Sequence, residues 1–182
     1  MMNTFVVYVE NKPGVLTRVA SLFRRRAFNI DSLTVGRTEK PEVSRMTITV
    51  DADHDQARRI EANLYKLVNV LLVENISHEP AIMRDLAMIK VGVTDEARSH
   101  VLELASVFRG RVVDVAADSL TIEITGAEDK IDGLLEVLRP YGVLEMVRTG
   151  IVAMRRGGKS STVAAADISA QGSAGDDVSY SV

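Results

Sequence analysis

Apolar and polar positions recur along the first half of the chain in two periods, one typical of strands and one typical of helices. Residues 4–10 alternate, so that Phe5, Val7 and Val9 share one face of a predicted strand. Residues 14–26 predict a helix with an apolar stripe at helical spacing: Val15, Leu16, Val19, Leu22 and Phe23. Predicted strands over 30–37, 44–50 and 69–76 and a helix over 53–67 complete a βαββαβ order.

The second half of the chain repeats this order. A strand is predicted over 82–93, followed by a helix for which Thr94 is the N-cap. A hairpin over 111–125, a helix over 128–138 and a single strand over 143–154 follow. A βαββαβ chain forms a four-stranded antiparallel sheet with both helices on one face. We therefore predict an α+β protein with two ferredoxin-like domains, residues 1–78 and 79–156.

The composition changes from residue 157 onward. Of the last 26 residues, 15 are Ser, Gly or Ala, and apolar side chains show no period. A segment of this kind buries too little apolar surface to offset the entropy lost on ordering. The sequence therefore predicts a disordered tail over residues 157–182.

Composition and charge exclude several classes of function. The chain has no cysteine, which excludes disulfides and thiolate metal sites, and its three histidines lack the spacing of metal ligands. A net charge of −3 gives no general attraction to nucleic acid. No apolar run reaches the ~20 residues of a membrane span, and the start lacks the pattern of a signal peptide. We expect a cytoplasmic protein with neither a nucleic acid nor a membrane as its partner.

Two asparagine-containing turns flank the first predicted helix and suggest a ligand site. Asn11 and Gly14 lie before the helix, and Asn29 follows it. A helix N-terminus offers unpaired N–H groups and a partial positive charge, which suit a carboxylate. Gly14 has no Cβ, so a ligand can approach the backbone. Uncharged amide side chains beside such a turn suit a small zwitterion, such as an amino acid.

The second strand of a βαββαβ sheet lies at an edge, and here it covers residues 30–35. Proteins usually cover such an edge, because its backbone groups would otherwise be unpaired. Pairing with the same strand of a second copy covers the edge and builds a symmetric dimer. We expect this dimer to bring the Asn29 turn of one chain toward the Gly14 turn of the other.

Several segments together match one protein family. In the first half they are Asn11-x-x-Gly14-Val15-Leu16-x-Arg18-Val19, Phe28-Asn29-Ile30-x-Ser32-Leu33-Thr34-Val35 and Ser44-Arg45-Met46-Thr47-Ile48. In the second half they are Phe108-Arg109-Gly110-x-Val112-Val113-Asp114-Val115 and Arg148-Thr149-Gly150. With this pattern over residues 3–158, the chain resembles the ACT-domain regulatory subunits of acetolactate synthase. The first segment alone would indicate only some ACT domain.

The resemblance implies a non-catalytic subunit that activates and feedback-inhibits a separate catalytic large subunit in branched-chain amino acid biosynthesis. It implies a site for valine between two ACT domains, with Asn11, Gly14, Val15 and Leu16 from one chain and Asn29 and Ile30 from the other. Thiamine diphosphate, Mg²⁺ and FAD would belong to the catalytic partner, and this chain would hold no catalytic, cofactor or metal site. The sequence does not specify which branched-chain amino acid binds best.

Other interpretations stay open at this stage. The chain could be a free-standing ACT-type sensor for another enzyme. An RNA-binding module can share the βαββαβ order, but it needs aromatic side chains and a basic sheet. The third strand here presents Arg45, Thr47 and Thr49 outward, with no aromatic residue. A self-sufficient enzyme would need a nucleophile, metal or cofactor motif, and none is found. The run from Arg24 to Arg26 is predicted to be a solvated helix end.

Overall fold

The structure, a computed structural model, describes residues 1–157, and the remainder of the predicted tail lies outside the described residues. The chain divides into two compact units. The first unit comprises Met1–Ile82 together with the described residues from Ala153 onward, and the second comprises Met83–Val152. The chain therefore leaves the first unit, forms the second and then returns to the first.

The first unit is a four-stranded antiparallel sheet with the strand order β2-β3-β1-β4. In the central pair, Phe5 lies opposite Ile48 and Val7 opposite Met46. The predicted position of β2 at an edge is confirmed. The elements are β1 (Met2–Glu10), α1 (Val15–Arg25), β2 (Ser32–Arg37), β3 (Val43–Asp51), α2 (His54–Leu64) and β4 (Val70–Asn75).

The core of the first unit joins one face of the sheet to both helices. Leu16 departs from the predicted apolar stripe of α1, because its side chain is 44% exposed. At 100° per residue, Val19 and Leu22 lie near the middle of the apolar stripe and Leu16 lies at its margin. Helix α2 begins with a capping box between Asp53 and Gln56. The helix was predicted to end at residue 67, but it ends at Leu64. Leu67 nevertheless packs against the core.

The second sheet repeats this plan with the strand order β6-β7-β5-β8, and β9 pairs with β5 outside this order. Thr94 caps α3 as predicted, its Oγ1 accepting from Ala97 N at 3.3 Å. The predicted α+β fold with two ferredoxin-like units is confirmed. The elements are β5 (Ala81–Gly92), α3 (Asp95–Val107), β6 (Arg111–Val115), β7 (Ser119–Gly126), α4 (Glu128–Leu138), β8 (Val143–Arg148) and β9 (Val152–Arg155).

The prediction of one strand over 143–154 is wrong, because the chain breaks between β8 and β9. Asp85 is 3% exposed, and its carboxylate accepts hydrogen bonds from three consecutive residues at the break. Its carboxylate accepts from Arg148 Nε at 2.7 Å, Thr149 Oγ1 at 3.0 Å and the Gly150 N–H at 3.2 Å. Gly150 adopts a φ of 87°, which ends the extended conformation. Burial opposes the charge of Arg148, but the hydrogen bond and charge of Asp85, together with the charges of Asp132 and Glu128, outweigh it and raise the pKa of the guanidinium.

After this break, the last described residues return to the first unit. Arg45 on β3 donates a hydrogen bond to the carbonyl of Ala153. Arg155 forms ion pairs with Glu74 on β4 at 2.8 Å and with Glu79 at 2.7 Å. Strand β9 itself pairs with β5, and these contacts connect it to β3 and β4 of the first unit.

Candidate functional site

The turn before α1 has the geometry predicted for anion binding. Gly14 is the N-cap residue with a φ of 81°, a left-handed conformation that favours glycine. A Cβ built on Gly14 would meet no atom within 4 Å, so the space beside its backbone is open. No side chain caps α1, and its first turn contains no acidic residue. The positive end of the helix is therefore available to a carboxylate.

Asn11 connects this turn to the loop between β2 and β3. Its Nδ2 donates to the carbonyl of Pro41 at 2.8 Å, and its Oδ1 accepts from Ser44 Oγ at 3.1 Å. Its backbone N–H donates to the carbonyl of Glu42 at 2.7 Å. The amide group retains one N–H and one lone pair for a ligand. Asn11 thus holds the Gly14 turn against the neighbouring loop.

The remaining candidate residues divide into a group in the core and a group on the surface. Val15 is 4% exposed and belongs to the core, and Ile30 is partly buried against the same core. Leu16 is exposed directly beside Gly14, and Asn29 is exposed at the other end of α1. Among residues 1–157, the side chain of Asn29 makes no hydrogen bond. Leu16 and Asn29 are therefore the candidates most accessible to a ligand.

A single chain does not bring the two halves of the predicted site together. Gly14 and Asn29 flank a helix of 11 residues, which is roughly 16 Å long at 1.5 Å per residue. Strand β2 follows Asn29 and has β3 as its only neighbour in the described sheet. Val35 on this edge strand is 41% exposed. A site that combines both halves would therefore require a second chain.

A polar network that was not predicted from the sequence holds the residues on both sides of the Gly14 turn. Glu10, the last residue of β1, is only 7% exposed. Its carboxylate accepts from Asn69 Nδ2 and pairs with Lys12 Nζ at 3.2 Å, while Arg18 donates to Asn69 Oδ1. The hydrogen bond from Asn69 is the main cause that lowers the pKa of Glu10; burial opposes it and Lys12 assists. A glutamate ending an apolar strand was the available signal for this network.

The opposite face of the first sheet does not form an aromatic platform for RNA. Thr47 is 2% exposed and Thr49 is fully buried on that face. Tyr8 lies beside them, with the guanidinium of Arg45 5.7 Å from its ring centre. The aromatic ring is therefore already covered by a cation. These contacts count against the RNA-binding alternative.

Other features of the described residues add no second centre. His54, His78 and His100 are all exposed, and residues 1–157 contain no group of three or more His, Asp or Glu side chains placed to hold a metal ion. None of the helices described is long and apolar enough to cross a membrane.

Two family profiles match the chain, one to each unit. Residues 5–72 match the "AHAS small subunit-like ACT domain", and residues 84–157 match the "Small subunit of acetolactate synthase". A probable acetolactate synthase small subunit from Archaeoglobus fulgidus is 49% identical over 87% of this chain and 99% of its own length. The acetolactate synthase small subunit of Mycolicibacterium smegmatis is 46% identical over 85% of this chain and 91% of its own.

A solved structure agrees with these sequence matches. The crystal structure of the acetolactate synthase small subunit from Thermotoga maritima superimposes with a TM-score of 0.82 at 41% identity. The match covers 87% of this chain and 99% of that one.

Proposed function

This chain belongs to the acetolactate synthase small-subunit family, and from that premise we propose that it regulates a catalytic large subunit in the cytoplasm. In this proposal the chain itself is non-catalytic. Thiamine diphosphate, Mg²⁺ and FAD belong with the catalytic subunit. The small subunit raises the turnover of its partner and makes it sensitive to a branched-chain amino acid.

The regulatory ligand in this proposal is valine. The observation that carries it is the uncapped N-terminus of α1 behind Gly14, where a Cβ would meet open space. The carboxylate of valine interacts with the α1 N–H groups, and Leu16 lies beside it for the isopropyl group. Asn11 and Asn29 provide amide groups for the ammonium and carboxylate of the ligand.

The second half of each site comes from another copy of the chain. Edge strand β2 pairs with β2 of the partner copy, which satisfies its outer backbone groups. This contact is isologous, so it creates two equivalent sites related by the twofold axis. Each site combines Asn11, Gly14, Val15 and Leu16 of one chain with Asn29 and Ile30 of its partner. Valine then acts at a distance by favouring one arrangement of this interface over another.

Calorimetric titration tests the ligand. We expect valine to bind the purified chain, with leucine and isoleucine weaker and an unrelated amino acid such as lysine silent. Because valine binds only the folded dimer, it also raises the melting temperature by mass action. The absence of both heat and thermal shift at saturating valine would remove the ligand from the proposal.

Reconstitution tests the regulatory role. We expect the chain alone to be inactive in pyruvate condensation and the catalytic subunit to gain turnover and valine sensitivity on its addition. A free-standing sensor of another enzyme would instead bind valine and leave the catalytic subunit unchanged. Activity of the chain alone would contradict the non-catalytic assignment.

Mixed dimers test whether two chains share each site. Gly14→Asp damages one half of a site, and Asn29→His damages the other half. In a dimer that contains one chain of each kind, one site carries both changes and the other site carries neither. We therefore expect each variant alone to lose valine binding, and the mixed dimer to recover one site per dimer. A mixed dimer with no intact site would place both residues in the site of a single chain.

A further inference from the structure

The helix layer of the first unit presents a concentrated basic surface. We call it the basic face, and it consists of exposed cations at the end of α1, along α2 and just beyond α2: Arg24, Arg25, Arg26, Arg58, Arg59 and Lys66. Within residues 1–157, none of these six side chains forms an ion pair with a carboxylate. Asp55 lies beside Arg58 and Arg59 but leaves the six cations in excess, and like charges held close together repel one another.

The related helices of the second unit show that the fold does not require this charge. Helices α1 and α2 carry five arginines and two carboxylates, whereas α3 and α4 carry two cations and seven carboxylates. Cations near the C-terminus of α1 interact favourably with the helix dipole. That effect does not explain Arg58 and Arg59, which lie in the middle of α2.

The basic face is built around two concavities. One of about 400 Å³ is lined by Leu22, Leu67 and four polar residues: Arg25, Arg26, Asn63 and Lys66. Asn63 is 8% exposed, and its Oδ1 accepts from Arg26 Nη2 at 3.1 Å, which holds that guanidinium at the rim. The other concavity, of about 370 Å³, lies along α2 and is lined by Asp55, Arg58, Arg59 and Ala62.

This layout suits a broad acidic surface better than one small anion. Small phosphates are usually bound by N–H groups at a helix N-terminus, whereas α1 ends here and presents carbonyl groups. The cations are also spread over two concavities and do not converge on one. Arginines beside apolar side chains such as Leu22 and Leu67 are typical of protein interfaces, where they pair with carboxylates of the partner.

We infer that the basic face is a docking surface for a carboxylate-rich patch on the catalytic subunit. This inference rests on the proposed function, because it takes the catalytic subunit as the partner. It assigns the contact to the helix layer of the first unit, which is distinct from the β2 edge and the Gly14 turn. Association through such charges weakens as salt rises.

Charge reversal on α2 tests the inference in the full chain. The variant Arg58→Glu with Arg59→Glu keeps good helix formers at two exposed positions. Its matched control is Arg109→Glu with Arg139→Glu, which changes the same number of charges at exposed positions of the second unit. The affinity of each for the catalytic subunit is measured at low and high salt. We expect the α2 variant to bind at least about tenfold more weakly and to lose most of its salt dependence, because close charge pairs at interfaces carry such energies.

The outcomes separate the inference from the proposed function. If the unaltered chain does not bind the catalytic subunit, the proposed function itself fails. If the unaltered chain binds and the α2 variant binds within about twofold of it, the docking surface is refuted, and equal weakening in the control refutes it too. Pyrophosphate serves as a probe for a small-anion site. If the α2 variant loses pyrophosphate binding but keeps the affinity of the unaltered chain for the catalytic subunit, the basic face is a small-anion site and the inference is overturned.

A second variant guards against a folding defect. Valine-induced thermal stabilisation reports on an intact first unit, because it depends on the Gly14 turn and not on the basic face. If the α2 variant has lost this thermal stabilisation, the double variant Arg24→Gln with Arg25→Gln is used in its place. We expect the glutamine variant to weaken subunit binding and keep the valine response, and normal subunit binding would refute the inference.

Discussion

At the scale of single residues, Gly14 combines two properties that are usually separate. Its φ of 81° disfavours any side chain, and the space beside it is nevertheless open. A substitution there thus tests conformation and ligand contact together. Asp and Asn tolerate the left-handed region better than other residues with a side chain, and they have nearly the same shape, but only Asp is charged and only Asn has N–H donors. The two variants form a pair that separates the two effects.

We predict that Gly14→Asp loses valine binding by at least about tenfold, or ~1.4 kcal/mol. Two like charges ~4 Å apart repel by about 4 kcal/mol at an effective dielectric of 20, and solvent reduces this value. Gly14→Asn has similar backbone strain without the charge and is expected to retain most of the affinity. Calorimetric titration of both variants measures the difference. Equal affinities for valine would mean that the ligand's carboxylate lies elsewhere.

Glu10 predicts a pH dependence of stability. Its pKa in the folded chain is lowered from 4.5, chiefly by the hydrogen bond from Asn69, so the ionised form favours folding. The stabilisation is fully present above pH 4.5 and is lost as the pH falls through the lower pKa of the folded chain. We expect Glu10→Gln to be less stable at pH 7 and to lose less free energy of unfolding below pH 4.5.

Unfolding by urea over a pH series measures this effect. Glu39→Gln removes one negative charge at an exposed position and controls for net charge. Parallel pH profiles for the unaltered chain and Glu10→Gln would show that Glu10 does not contribute to the pH dependence of the free energy of unfolding.

At the scale of elements, the end of α3 gives the Phe108-Arg109-Gly110 segment a structural role. Arg109 adopts a φ of 55°, and the Gly110 N–H donates to the carbonyl of Ala105 at 2.7 Å. A Cβ on Gly110 would approach Ile122 Cγ2 to 3.0 Å, so a side chain there would require its neighbours to shift by a few tenths of an ångström. The helix therefore ends in a left-handed residue followed by a tightly packed glycine.

We predict that Arg109→Gly stabilises the chain by about 0.5–1 kcal/mol. Relief of the left-handed strain exceeds the entropy that glycine adds to the unfolded state. Arg109→Ala removes the same side chain but keeps Cβ, so it should give no comparable gain. The melting temperatures of both variants check this. A gain in Arg109→Ala equal to that in Arg109→Gly would assign the effect to the arginine side chain and not to the backbone.

The periods in the sequence were sufficient to predict most elements, because the helices and strands such as β5 and β7 bury one regular face. They failed where a single buried polar residue decides the backbone. Asp85 breaks the last strand through partners more than 60 residues away, which no local pattern can reveal. In the candidate site, the turns of Asn11 and Asn29 were located correctly, but the network of Glu10, Asn69 and Arg18 depends on contacts between distant segments.

At the scale of the whole molecule, the contacts of β9 with the first unit predict a difference between two truncations. Deletion of residues 158–182 leaves all the contacts of Arg155 in place, and we expect stability, valine binding and activation to be unchanged. Deletion of residues 153–182 removes the partners that β9 supplies to Arg45 and Glu74. Because largely buried polar pairs are costly to break, we expect a loss of about 1–3 kcal/mol.

Thermal unfolding followed by circular dichroism compares the two truncations. Equal melting temperatures would show that β9 does not stabilise the first unit. The same contacts also bear on a chain that ends near Ser77, which contains the whole Gly14 turn and β2 but lacks β9. We expect such a chain to bind valine if it dimerises, and to be less stable than the first unit in the full chain.

The path of β9 also sets an order of events on the ribosome. The first sheet has all four strands once Asn75 has emerged, yet Arg45 and Glu74 receive their β9 partners only after the second unit has been translated. Roughly 80 residues separate the two events, which is about 4–16 s at typical rates of synthesis. The nascent chain therefore holds a nearly finished amino-terminal sheet while its last stabilising contacts are still being made. The segment that completes the first unit thus leaves the ribosomal tunnel only after the whole of the second unit.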